Sequence, residues 1–449
     1  MQRQTIRWIT ACLAVWAGAQ TALAVTDEER QAVYHEFRQL FDARRYEEAL
    51  PVADRLVTMT IEQYGENDRA LANPLTNRGT VYYRMKNYEA AEKDYQRSLE
   101  ILEATGGATD RQLLRPLHGL GAAHFAEAEY VDASVALKRA VDLSRNLDGL
   151  FNAGQLQILD PLISSYIALN LMNEAEKEQQ YALRVAETAY GKSDVRMLKP
   201  LDRYGRWLEQ IGRYTTARLM YARALTIAEK SGGRGTTLAV DPLLGIARSY
   251  RLEFVNGAEE MPTAPDPFGD TDMPISSDGQ RLNPDGERAL RLALNALEGA
   301  TPVDQKKRGQ TLVELGDWYM SAGALSKGLD TYREAWKALS EANAVELLQM
   351  PRLLAYRPPP TSARRSRLGP DESEERYVEL RYTVTSEGRT SDVQTVSADA
   401  SESAQKAVVS AMKKARYAPR FVNGEPVDTP NVSWREIILV KVKQQTARN

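Results

Sequence analysis

Cysteine and histidine are the scarcest reactive residues in this chain. Its 449 residues include one cysteine, Cys12, and three histidines, His35, His118 and His124. Thiol chemistry would need a cysteine that stays in the working protein. The three histidines are too few and poorly spaced for a metal site, since the i, i+6 pair His118 and His124 does not share a helix face. A glycine-rich phosphate loop followed by Lys and Ser or Thr is also absent from the sequence. We therefore expect no metal, no cofactor and no catalytic residues, so the protein is not expected to be an enzyme.

The chain also lacks an excess of charge of either sign. Its 58 basic and 61 acidic residues give a net charge of −3, so no strong positive field would attract nucleic acid. Hydrophobic residues make up 43% and charged residues 27%, which is typical of globular proteins. After residue 24, no stretch is apolar enough to span a bilayer. We expect protein or peptide partners and no nucleic acid.

Residues 1–24 have the features of a cleavable secretory signal peptide. A positively charged start precedes an apolar run over residues 8–19, and Ala22-Leu23-Ala24 supplies small residues at the expected cleavage position. Cleavage there would remove Cys12 and leave a thiol-free chain, which suits the oxidising periplasm. Two alternatives stay open. The segment could remain as an inner-membrane anchor, or Ile9-Thr10-Ala11-Cys12 could be processed as a lipoprotein signal, and either would bring the chain to a membrane.

A repeat of 42 residues runs through much of the chain. Each of five alanines has an aromatic or apolar residue three positions earlier, and three of them have a glycine twelve positions earlier. The alanines are Ala49, Ala91, Ala133, Ala175 and Ala217. Small residues would let two helices approach closely, and the aromatic residues would fill the space between neighbouring helix pairs. The periodicity predicts a helical solenoid.

Prolines are expected near the start of the first helix in each repeat, because the missing N–H costs nothing there. Pro74, Pro116, Pro200 and Pro242 follow the 42-residue spacing, whereas Pro161 is displaced from it by three residues. The start of the first helix in the fourth repeat is therefore left open.

The spacing resembles the tetratricopeptide repeat in a 42-residue form, in which each repeat is a helical hairpin. The solenoid is predicted over residues 25–342, and a proline- and glycine-rich insertion at 256–286 is predicted to be a loop. The resemblance implies a groove, lined by the first helices, that binds peptides or partner domains. Its candidate partner-binding residues are Asn73, Thr76, Tyr83, Arg115, His118, Lys199 and Arg206. An ordinary solvated role is the alternative for each.

The sequence pattern changes after the repeats. Residues 343–375, which include a proline-containing basic run, are predicted to be a linker. Period-two alternation then predicts a hairpin over 377–396, helical spacing predicts a helix over 401–415, and a last strand is expected from about Val432 to Val442. The β-β-α-β order predicts a small α+β domain over residues 376–449.

This domain resembles the C-terminal domain of the TonB family of energy transducers. The similarity is carried by the hairpin, by Arg-Tyr-Ala-Pro-Arg-Phe at 416–421 and by Asn-Gly-Glu-Pro-Val-Asp-Thr at 423–429. In that family the domain lies in the periplasm and pairs a sheet edge with a short segment of an outer-membrane transporter. The resemblance implies that the last strand, with Trp434 and Glu436, binds a partner. Completing the sheet and its packing is the alternative role for both residues.

Together these patterns predict a mainly α protein, with a tetratricopeptide-repeat solenoid followed by a TonB-C-like α+β domain. We expect a periplasmic scaffold that binds protein partners in the bacterial envelope, with an outer-membrane transporter as one candidate partner. The alternative is a membrane-anchored TonB-type energy transducer that serves outer-membrane transport. The long proline-rich spacer of that family is missing here, and a solenoid stands in its place.

Overall fold

The computed structural model describes residues 26–257, 282–363 and 373–441. The predicted signal peptide, most of the predicted insertion loop at 256–286 and the basic residues after Ala363 lie outside these ranges. The described residues fall into two compact units, an N-terminal unit up to Glu178 and a C-terminal unit from Gln179 onward.

The N-terminal unit is built from helical hairpins, in which α1 packs against α2, α3 against α4, and α5 against α6. The helices are α1 (Asp27–Asp42), α2 (Tyr46–Tyr64), α3 (Ala72–Arg84), α4 (Tyr88–Gly106), α5 (Leu114–Ala126), α6 (Tyr130–Asp148) and α7 (Leu156–Ala168), followed by α8 (Met172–Tyr190), within which the N-terminal unit ends.

The C-terminal unit continues the helical pattern, with α9 packed against α10, α11 against α12, and α13 against α14. These helices are α9 (Leu198–Gln210), α10 (Tyr214–Gly232), α11 (Val240–Asn256), α12 (Pro284–Glu298), α13 (Gln305–Ser321) and α14 (Leu325–Glu341). The prediction of a helical solenoid is confirmed.

The 42-residue period fixes where helices α2 to α11 begin. The first helices of five successive hairpins begin at Ala72, Leu114, Leu156, Leu198 and Val240, each 42 residues after the one before. The displaced Pro161 therefore does not mark a helix start, because α7 begins at Leu156 and contains Pro161 in its interior. Packing across the repeat determines where α7 begins, and it overrides the local preference of the proline.

Glycines end the second helices at the same interval. Gly65, Gly107, Gly149, Gly191 and Gly233 each follow the last helical residue with φ between 74° and 91°. In Gly65, Gly107 and Gly149 ψ lies near 165–180°, a backbone conformation that is essentially restricted to glycine. These residues turn the chain toward the next hairpin.

Close contact between an aromatic ring and glycines sets the distance between helices. Tyr221 on α10 is fully buried, and a Cβ built on either Gly205 of α9 or Gly245 of α11 would lie 2.5 Å from its ring. Tyr95 on α4 stands in the same relation to Gly119, with 2.4 Å to the added Cβ, and makes a looser contact of 3.1 Å with Gly79. No larger residue fits at Gly119, Gly205 or Gly245 unless the helices move apart, which explains these glycines.

A small α+β domain follows the last helical hairpin, as predicted. Its elements are β1 (Arg352–Ala355), β2 (Ser373–Val384), β3 (Thr390–Ala398), α15 (Glu402–Lys413), β4 (Arg416–Ala418), β5 (Arg420–Val422), β6 (Glu425–Val427) and β7 (Thr429–Lys441). The main sheet is antiparallel with the strand order β3-β2-β7, and buried residues of β2 and α15 form its core.

Two short strand pairs were not expected from the sequence. β1 pairs with β4, and β5 forms a tight hairpin with β6. Because β1 lies within residues 343–375, part of the segment predicted to be a linker is hydrogen-bonded into the folded domain.

We predict that Gly245→Ala lowers the stability of the C-terminal unit. The added methyl group would lie 2.5 Å from the Tyr221 ring, and Gly205 prevents that ring from retreating on the other side. Overpacking of this kind costs about 1–3 kcal/mol, which should appear as a lower midpoint of urea unfolding.

Gly299→Ala is the matched control. Gly299 has a helical backbone conformation, with φ of −75°, and its added Cβ would come no closer than 3.4 Å to another atom. It should change stability by less than about 0.5 kcal/mol. Equal effects of the two substitutions would contradict the proposed role of the ring contact.

Candidate partner-binding surfaces

The α+β domain shares a hydrophobic core with the last helical hairpin. Phe421 on β5 lies with its ring centroid 5.8 Å from that of Tyr332 and 6.4 Å from that of Trp336, both on α14. Ala418 and Leu354 are buried in the same cluster. The domain is therefore held against α13 and α14 by side-chain packing.

A buried carboxylate strengthens this junction. Asp317 on α13 has no exposed surface, and it accepts hydrogen bonds from Tyr332 Oη at 2.6 Å and from Arg352 Nη2 at 2.7 Å. Burial raises the pKa of the Asp317 carboxyl, although Arg352 and Arg251 oppose this shift. Because Arg352 is the first residue of β1, the ion pair ties the α+β domain to the last hairpin.

β7 forms one edge of the main sheet, and its outward-facing backbone groups can be identified from its pairing. Ile437 O accepts a hydrogen bond from Ala363 N at 2.8 Å, and Leu439 N donates to Thr361 O at 2.9 Å. Both bonds lie on the side away from β2, and backbone groups alternate sides along a strand. The N–H and C=O groups of Ser433 and Arg435 therefore also point outward, and within the described residues no strand pairs with them.

A strap formed by residues 356–363 covers the other end of this edge. Ser362 forms an antiparallel bridge with Ile438, and the ring of Tyr356 packs edge-on against Trp434 at 5.2 Å between centroids. The strap thus occupies the edge at 437–439, and within the described residues it does not extend to the stretch around Ser433 and Arg435.

Trp434 and Glu436, the two residues of β7 predicted to bind a partner, contact the strap and each other inside the domain. Glu436 is only 1% exposed. Its carboxylate accepts hydrogen bonds from Ser362 Oγ and from Trp434 Nε1, the latter at 2.8 Å. The side chain of Glu436 is thus used inside the domain and is not presented to a partner. The sequence pattern did not indicate Ser362, because it lies 74 residues before Glu436.

The opposite edge of the sheet, β3, is irregular. Its pairing with β2 shifts register twice, and Asp392 has a positive φ of 53°. Bulges at an edge strand hinder pairing with another chain. The regular β7 is therefore the better template for an added strand.

In the N-terminal unit, the predicted groove residues divide into exposed and buried side chains. Asn73 and Arg115 are exposed, and Arg115 Nη2 donates to Asn77 Oδ1 at 2.9 Å, which brings neighbouring first helices together. Thr76 is buried, and its hydroxyl donates to Ala72 O at 2.8 Å. Its side chain therefore is not presented to a partner.

Tyr83 and His118 are half-buried. The ring of Tyr83 packs against Tyr88 at 5.5 Å between centroids, and burial lowers the pKa of His118. In the C-terminal unit, Lys199 and Arg206 are exposed on α9, where Arg206 Nε donates to Asp202 at 2.9 Å. A partner-binding role for these residues stays a prediction.

One polar cluster was not recognised in the sequence. The Nδ1 of His124 lies 2.7 Å from Glu129 Oε2, and a carboxylate oxygen of Glu92 lies close to both. These three residues come from three different structural elements, so sequence spacing could not reveal them.

Two domain families match parts of the chain. Residues 38–104 and 70–146 match the tetratricopeptide repeat, and residues 371–435 match the Gram-negative bacterial TonB protein C-terminal domain. Both resemblances inferred from the motifs are confirmed. Repeats and a domain of these kinds indicate protein–protein interaction. No helix in the described ranges combines the length and apolar character needed to cross a membrane.

Several solved structures are similar to the chain, and no curated protein sequence matches it. A Podosopora anserina protein with nearly identical TPR-like repeats is 14% identical, with 45% of this chain and 95% of that chain covered and a TM-score of 0.41. The apo form of RapI is 16% identical, with 70% of this chain and 99% of that chain covered and a TM-score of 0.43. Aspartyl phosphate phosphatase F from Bacillus subtilis is 12% identical, with 69% of this chain and 70% of that chain covered and a TM-score of 0.39.

We predict that Asp317→Asn destabilises the junction between α13 and the α+β domain. The substitution keeps the size of the side chain but leaves Arg352 without its anionic partner. Removing one member of a buried ion pair costs about 3–5 kcal/mol, and the partial exposure of Arg352 puts the expected loss at about 3 kcal/mol or slightly less. Urea unfolding followed by circular dichroism measures the change.

Glu425→Gln provides the control at the same junction. It removes the exposed pair between Arg333 and Glu425, and such pairs contribute less than about 1 kcal/mol. If both substitutions lowered stability equally, the buried carboxylate would not be the main polar tie.

Proposed function

We propose that this protein is a periplasmic scaffold of the bacterial envelope, in which the solenoid binds one protein partner and the α+β domain binds another by strand addition. The main support is the stretch of β7 around Ser433 and Arg435, whose backbone groups point away from the sheet and meet no strand among the described residues. Main-chain hydrogen bonds to such an edge provide affinity for an extended segment, and alternate side chains provide selectivity.

The length of the open edge limits the partner segment. The strap occupies the edge from Ile437 to Leu439, and Asn431 has a positive φ of 58° that interrupts the strand at the other end. An added strand would thus pair with residues 432–436, a stretch suited to a short extended segment. An outer-membrane transporter with such a segment is one candidate partner.

The way in which the α+β domain is held favours a scaffold over an energy transducer. Phe421 and the Asp317–Arg352 pair fix the domain to the last hairpin, whereas a transducer domain on a long spacer can move over a distance. The scaffold would present the β7 edge in one orientation relative to α13 and α14.

A display library of linear peptides tests strand addition and requires no identified partner. Peptides selected on the immobilised full chain should lose affinity at least about tenfold, or about 1.4 kcal/mol, for Ser433→Pro. Proline removes the outward N–H but leaves the bonds to β2 intact, because those come from the alternate residues. Ser362→Ala should increase affinity, since it loosens the strap.

Ser433→Ala is the matched control, because it removes only the hydroxyl and keeps the backbone N–H. Its affinity for the selected peptides should equal that of the unmodified chain. Equal binding to the proline and alanine variants would show that the peptides do not pair with this edge.

The proposed location has a separate test. After expression in a Gram-negative bacterium, N-terminal sequencing of periplasmic protein should give a chain that begins at Val25, because Ala22-Leu23-Ala24 provides the cleavage position. A chain that retains Met1, or that carries lipid on Cys12, in the membrane fraction would instead support the anchored alternatives.

A further inference from the structure

Three potential metal ligands converge in the N-terminal unit. Glu92 projects from α4, His124 lies in the last turn of α5, and Glu129 immediately precedes α6. One ligand atom from each lies within 4.8 Å of the other two. His124 is 8% exposed, so its ring is held by the surrounding helices, while the two carboxylates have more freedom to adjust.

Among the described residues, the basic group paired with these carboxylates is the imidazole of His124, which contacts Glu129. In the part of the chain that the structure describes, neither Glu92 nor Glu129 forms an ion pair with lysine or arginine. Glu92 accepts a hydrogen bond from a neutral amide, Gln96 Nε2, at 2.7 Å. Two carboxylates beside a buried imidazole therefore favour a bound cation.

The repeat itself shows that these ionisable residues are not needed for packing. At the positions 42 residues away on either side, His124 is replaced by Tyr82 and Tyr166. The corresponding replacements are Asn87 and Leu171 for Glu129, and Leu50 and Ser134 for Glu92. One repeat thus places an imidazole and two carboxylates together where its neighbours have tyrosine and neutral side chains.

We propose that Glu92, His124 and Glu129 bind a divalent transition-metal ion, for which Zn²⁺ is the suitable probe. One imidazole nitrogen and two carboxylate oxygens form a donor set that Zn²⁺ accepts, at about 2.0–2.2 Å from each ligand atom. Small rotations of the two glutamate side chains bring the oxygens to that distance. The ion ties α4 to α5 and to the start of α6, and its fourth position is open to water or to a side chain of a partner.

Isothermal titration of the untagged full chain with ZnCl₂ tests the site. We expect one equivalent of Zn²⁺ to bind, together with a rise in the midpoint of thermal unfolding, because an ion that binds only the folded state stabilises it. His124→Tyr should weaken Zn²⁺ binding at least about tenfold. This variant restores the aromatic residue found in the neighbouring repeats, so it is expected to fold.

Two further variants and one further ion complete the test. Glu129→Gln changes an exposed residue and should also weaken Zn²⁺ binding. His35→Ala, which changes an exposed residue of α1, should leave Zn²⁺ binding unchanged. MgCl₂ should not compete, since imidazole is a poor ligand for Mg²⁺. No saturable Zn²⁺ binding below about 1 mM, which corresponds to only about 4 kcal/mol, would overturn the proposal. So would equal binding by His124→Tyr, or displacement by equimolar Mg²⁺.

Discussion

The contact between a buried aromatic ring and two glycines is the constraint on which the helical part of the protein depends. Tyr221 fills the space between α9, α10 and α11 only because Gly205 and Gly245 leave room for its ring. The ring fixes the distance between these helices, and Tyr95 does the same three repeats earlier, whereas Leu137 takes the equivalent position against Gly121. Local helix preference matters less, as the interior Pro161 of α7 demonstrates.

In the last hairpin, the buried ring contacts a glycine on one side and the α+β domain on the other. Tyr332 on α14 packs against Gly316 of α13, but on its open side it meets Phe421 of the α+β domain. Its hydroxyl and Arg352 converge on the buried carboxylate of Asp317. The domain thus covers the surface that a further repeat would have covered, and the end of the solenoid needs no separate polar cap.

Much of the fold could be predicted because its determinants are periodic. Recurring alanines and glycines indicated the hairpins, and period-two alternation indicated β2, β3 and β7. Contacts between residues distant in sequence could not be predicted, such as those of Ser362 with Glu436 and of Arg352 with Asp317. Position on a first helix did not reveal that Thr76 is buried, because a hydroxyl there can face a neighbouring helix as readily as a groove.

The two edges of the main sheet differ in a way that bears on binding. A long exposed strand edge promotes aggregation, and natural sheets blunt such edges with bulges or cover them. β3 is blunted by its register shifts, and one end of β7 is covered by the strap through Ser362. Among the described residues, no further strand pairs with the outward side of β7 around Ser433 and Arg435, where the register is regular. We propose that this stretch binds a partner strand, because within the described residues the neighbouring stretches of edge are bulged or covered.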